Sequence, residues 1–96
     1  MTDIKLPAVH PGEILREEYL KPLGLSPIKL ARVLGVPRTR VERIVTEKTA
    51  VSPDTALRLA KAFGTTARFW LNMQASYDLA ITQTDVSSIP EVKMAI

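Results

Sequence analysis

Apolar residues recur at spacings of three and four along most of this 96-residue chain, and no alternating run lasts more than a few positions. That periodicity predicts an all-α fold of five helices without a sheet. The first helix is expected from about His10-Pro11-Gly12 to Lys21, with Ile14, Leu15, Tyr19 and Leu20 on its apolar face. Pro22 and Leu23-Gly24-Leu25 form the connection. Ser26-Pro27 starts the second helix, whose inner face is Leu30, Ala31 and Leu34. A third follows Gly35 and Pro37, with Val41, Ile44 and Val45 facing inward. After a loop at 46–51, Ser52-Pro53-Asp54 starts a fourth helix that buries Ala56, Leu57, Ala60 and Phe63 and stops at Gly64. Thr65 or Thr66 caps a fifth, to about Thr82, carrying Phe69, Trp70, Met73, Tyr77 and Ile81. The expected organisation is an arm over residues 1–9, a helical domain over 10–84 and a mobile tail over 85–96.

Residues 26–48 read as two short helices joined by a tight turn, a helix-turn-helix pattern. Ser26 can accept a hydrogen bond from a free first-turn N–H, and Pro27 fits the first helical position, where its missing N–H costs nothing. Ala31 is small where two helices would cross closely. Gly35 suits the left-handed conformation that ends a helix, Val36 plugs the turn into the core, and Pro37 pre-sets the start of the next helix. In this motif the second helix, here about 37–46, lies in the major groove of duplex DNA. Arg38, Thr39, Arg40 and Arg43 fall on its outer side and are the expected base-contacting residues. Lys29, Lys48 and Thr49 are placed to hold phosphates.

Charge sharpens the picture. Residues 26–48 carry six Lys or Arg and two acids, net +4, whereas residues 1–25 sum to −1 and residues 49–96 to zero, giving +3 for the chain. The basic face is local, and phosphate binding by such a face is salt-dependent. One surface arginine is ordinarily just solvated; several on one face of this motif point to DNA.

Composition sets the outer limits. The length suits one small domain, and 46% hydrophobic residues is ordinary for a folded one. There is no cysteine, which excludes disulfides and thiolate metal sites. No apolar run approaches membrane-spanning length, and the N-terminus lacks the pattern of a signal peptide, so a cytoplasmic protein is expected. The single histidine, His10, sits beside Pro11 at a helix start and reads as a capping residue rather than a base. Glu13, Glu17 and Glu18 are interleaved with Arg16 and Lys21, as on a solvated helix face rather than in a metal cluster. With no phosphate loop and no nucleophile motif, neither an enzyme nor a cofactor is expected.

The fifth helix carries more apolar surface than a small domain leaves exposed. Phe69 is assigned to the core, and Trp70, Met73 and Tyr77 to a two-fold dimer interface with Trp70 and Tyr77 as anchors. A dimer would place two recognition helices roughly 34 Å apart, one turn of DNA, on a palindromic operator.

Several runs, in order and at matching spacing, carry a family resemblance: His10-Pro11-Gly12-Glu13-Ile14-Leu15-Arg16-Glu17-Glu18-Tyr19-Leu20, Pro22-Leu23-Gly24-Leu25-Ser26, Leu34-Gly35-Val36-Pro37-Arg38-Thr39-Arg40, Asp54-Thr55-Ala56-Leu57-Arg58-Leu59-Ala60 and Phe69-Trp70-Leu71-Asn72-Met73-Gln74. Over about residues 8–81 the chain resembles the HigA-type antitoxins, also called the VapI or plasmid-maintenance antidote family, within the Cro/repressor-like (XRE) superfamily. The resemblance implies a five-helix Cro/repressor-like DNA-binding domain. It also implies an antitoxin that neutralises a HigB-type, RelE-like RNase toxin and represses its own operon as a homodimer. The chain departs from the superfamily at two points. Pro27 replaces a glutamine that touches DNA, and Thr46-Glu47-Lys48 replaces Asn-Gly-Lys, which removes a glycine and adds an acid near the phosphate track. Both departures imply weaker DNA affinity. They leave open a protein-interaction module, or a solitary regulator without a toxin.

Overall fold

Four helices begin on a side chain that accepts a free backbone N–H of the first turn: His10, Ser26, Ser52 and Thr66. The computed structural model describes residues 8–94, and within them the chain forms five helices and no strand. Helix α1 covers residues 11–23 in three continuous pieces: α-helical Pro11–Ile14, π-helical Leu15–Leu20 and α-helical Lys21–Leu23. Then follow α2 (Pro27–Leu34), α3 (Arg38–Val45), α4 (Pro53–Phe63) and α5 (Ala67–Ile81). Residues 1–7 of the expected arm lie outside the described residues. Beyond α5 the chain to residue 94 is exposed, with one turn closed by Ile89 N donating to Val86 O at 3.0 Å.

Two boundaries differ from the sequence expectation. The first helix does not stop before Pro22 but runs through it to Leu23. A proline cannot donate to the carbonyl four residues back, and its ring crowds that carbonyl. The preceding turns are widened, so that Lys21 N–H reaches five residues back to Arg16 O, and the helix continues. In α4 it is Leu59, fully buried, and not Leu57, 64% exposed, that enters the core. Positions 56, 59, 60 and 63 keep the three-four spacing, while residue 57 lies about 100° round the helix from residue 56.

The core gathers Leu15 and Leu20 from α1, Leu30, Ala31 and Leu34 from α2, Val41, Ile44 and Val45 from α3, Val51, Ala56, Leu59, and Trp70 from α5. Trp70 corrects the assignment of that residue to a dimer interface: its side chain has no solvent exposure. Its indole Nε1 donates to Thr65 Oγ1 at 2.8 Å, and its ring meets Tyr19 and Phe69 at 5.4 and 5.1 Å between centroids. Phe69, assigned to the core, is instead 39% exposed. Adjacent residues lie about 100° apart on a helix, so only one of the two faces the core, and the indole can be that one because Thr65 satisfies its N–H there.

Two contacts fix α3 in the body of the protein. Gly12, at the start of α1, faces the backbone carbonyl of Ile44, and a Cβ at Gly12 would lie 1.8 Å from that oxygen. Only glycine permits this approach. From the far side, buried Gln74 of α5 accepts from Val51 N at 2.8 Å and donates to Asp78 at 2.9 Å, which ties down the loop after α3. Periodicity gave no sign of that buried amide.

Gly12→Ala should therefore destabilise the fold by about 3 kcal/mol in urea unfolding, because rigid backbone must move. Gly24→Ala offers the comparison: Gly24 is left-handed (φ 60°) with open space around it. It should cost only about 1 kcal/mol. Equal losses would contradict the close α1–α3 approach.

Candidate nucleic-acid interface

Helix α3 buries Val41, Ile44 and Val45 and leaves Arg38, Thr39, Arg40 and Arg43 exposed. The amphipathic spacing does this directly: the valines and isoleucine occupy the inner stripe and the basic residues the outer one. The two ends of α3 differ. Pro37 at its N-cap gives no side-chain cap, Arg40 N donates to Pro37 O at 3.0 Å, and residues 37–40 are exposed, so the positive end of the helix dipole lies at the surface. The C-terminal end is held inside. Arg16 of α1 donates Nη1 to Val45 O, a cation on the negative end of the dipole. The same guanidinium reaches Glu47 Oε2 at 3.3 Å.

Glu47 is the one non-glycine residue with positive φ (63°) among the described residues, at the position where the superfamily's glycine is missing. The turn it makes returns the chain under α3: Lys48 N and Thr49 N both donate to Arg43 O, at 2.8 and 3.3 Å. Lys48 is exposed and Thr49 half-buried beside the C-terminal end of α3. Lys29 is exposed on the first turn of α2, its N–H bonded to the Ser26 hydroxyl at 3.2 Å. Thus α3 and its flanks present the four outer residues, with Lys29 on α2 and Lys48 in the following turn.

The arginines are not all free. Arg38 lies 3.9 Å from Glu42, a loose exposed pair one helical turn away. Arg40 Nη1 sits 2.7 Å from Asp54 Oδ2, and the same oxygen accepts from Arg58 Nε at 3.1 Å. Arg58 and, next, Arg40 hold the Asp54 carboxyl below the usual carboxylate range. Arg58 Nη1 then donates to Leu34 O, 2.7 Å away, at the end of α2. In the sequence Asp54 stands out only as a helix-start residue. Its spacing of four from Arg58 was legible, but its contact with Arg40, 14 positions away, was not.

His10 is buried, and its Nδ1 accepts from Gly12 N at 2.8 Å, the capping role read from the sequence. Its ring meets Tyr77 edge-on at 4.9 Å. Beside that pair runs a groove of about 590 Å3 lined by Val9, Ile14, Phe69, Met73, Tyr77 and Ala80, among others. Met73 and Tyr77 are half-buried here, whereas Trp70 is behind the wall. Among the described residues no group of three His, Cys, Asp or Glu could hold a metal ion, and no helix is long and apolar enough to cross a membrane.

A helix-turn-helix family model matches residues 17–70. The chain is 54% identical over 85 residues to virulence-associated protein I of Dichelobacter nodosus, covering 88% of this chain and 79% of that one. It is 38% identical over 79 residues to antitoxin HigA-1 of Vibrio cholerae, covering 82% and 74%. The fold is similar to that of Pseudomonas aeruginosa antitoxin HigA solved with the higBA promoter: TM-score 0.76, 47% identity, 77% of this chain and 80% of that one. It is also similar to antitoxin GraA in complex with its operator: TM-score 0.84, 38% identity, 98% and 100% covered. This chain belongs to the HigA/VapI antitoxin family of helix-turn-helix proteins.

Proposed function

We propose that the chain is a sequence-specific DNA-binding antitoxin that represses its own operon as a two-fold dimer in the cytoplasm and neutralises a HigB-type, RelE-like RNase. The observation that carries the DNA half is the asymmetry of α3: inner stripe and C-terminal end anchored in the protein, arginine-bearing outer stripe and uncapped N-terminus exposed. Arg38, Thr39, Arg40 and Arg43 read base edges, and Lys29, Lys48 and Thr49 hold phosphates. Two relatives in the family were solved on promoter or operator DNA, which supports the same docking here. The toxin half rests on family membership.

The dimer forms through the α5 groove, with Met73 and Tyr77 in it and Trp70 excluded. A groove this apolar on a small domain is suited to a self-complementary partner. A module that binds protein and has lost useful DNA affinity is the second reading, favoured by the acid at Glu47 and by the Arg40–Asp54 pair.

Gel-shift titration against the upstream region of the chain's own gene, at two salt concentrations, separates the readings. Tight binding to one palindrome is expected, and equal, feeble binding to all DNA would support the module. Arg43→Ala should cost about 1–3 kcal/mol on the operator and little on other sequences. Lys48→Ala should weaken all sequences alike and lower the salt slope by about one. For the dimer, Ala80→Glu places a charge in the groove at an exposed position. In sedimentation it should weaken self-association by about tenfold or more. An unchanged dimer would place the interface elsewhere.

A further inference from the structure

We propose that Asp54 is a positioning residue for Arg40, holding its guanidinium in the orientation that reads a base pair and so setting part of the sequence selectivity. The inference rests on the DNA reading above. At 2.7 Å the Arg40–Asp54 contact is the shortest ion pair among the described residues. An isolated exposed pair contributes little, because two long side chains must be ordered to make it. Asp54 is already ordered. It is the second residue of α4, after the Ser52 cap and Pro53, and Arg58 holds its Oδ2 from one turn along. Arg58 is in turn fixed on the last carbonyl of α2. A continuous line of contacts thus runs from the end of α2, through Arg58 and Asp54, to the tip of Arg40 on α3.

The donor count allows this while a base is being read. Guanidinium has five N–H groups, and the Asp54 contact uses one, on Nη1. Guanine O6 and N7 need two donors from the same fork. Arg40 can keep Asp54 and still grip a guanine, with its rotamer freedom already lost before binding. On other sequences the balance reverses. No base rewards the orientation, and the Asp54 carboxylate repels nearby phosphates. Asp54 therefore favours the cognate site twice, by ordering Arg40 and by weakening indiscriminate binding.

Asp54→Asn tests this by the ratio of operator to competitor-DNA affinity. The side chain is exposed, so the fold should survive, which a thermal melt checks. The ratio should fall about tenfold, with competitor binding tightened. Arg40→Ala should lower the ratio comparably, and adding Asp54→Asn to it should lower the ratio no further, since the two act as a unit. An unchanged or increased ratio in Asp54→Asn would overturn the proposal; an increase would mean that Asp54 withholds Arg40 instead of aiming it. An equal loss in the Arg40→Ala background would overturn it as well. A wild-type chain without operator preference would overturn the DNA reading itself, and this inference with it.

Discussion

The C-terminal end of α3 is where the structure is least free to change. Its last carbonyls point into the protein, where Gly12 leaves room for the Ile44 oxygen at a distance no side chain would permit and Arg16 donates to the Val45 oxygen. A helix anchored at one end by backbone contact cannot rotate about its axis without losing them. The orientation of the exposed stripe is thereby inherited from the buried one. The opposite end has no side-chain cap, and the helix dipole there is available to a negatively charged surface.

This arrangement gives a chain of small net charge a local basic face. Six of the thirteen basic residues lie on the two helices of the motif and the turn after them, and two exposed acids brace arginines. Glu47 braces Arg16, and Asp54 braces Arg58 and Arg40. An acid beside a phosphate track is a liability when unpaired; paired, it orders the arginines on either side. Such pairing is in keeping with the proposed selective use of the arginines, and two relatives were solved on promoter or operator DNA.

Most of the fold was legible because local signals agreed. Ser26-Pro27 and Ser52-Pro53 mark helix starts, glycines end α2 and α4, and the inner stripe of α3 follows the three-four rule. The outer stripe of α3 was legible for the same reason. What escaped depends on partners distant in sequence. Phe69 and Trp70 are equally apolar to a periodicity argument, and only the position of Thr65 and Tyr19 decides which turns inward. Gln74 looks like a surface residue until Val51, 23 positions earlier, needs an acceptor. The π-helical turns of α1 arise from a clash that Pro22 would otherwise impose, a matter of degree that residue spacing does not encode.

Guanine methylation interference on the upstream palindrome is the most direct probe of where α3 sits, because N7 faces the major groove. Interference should appear at guanines in two half-sites about one helical turn apart, and should disappear from one position per half-site when Arg43 is alanine. Interference confined to minor-groove adenine N3 would show that the arginine stripe does not lie in the major groove. So would binding indifferent to every guanine.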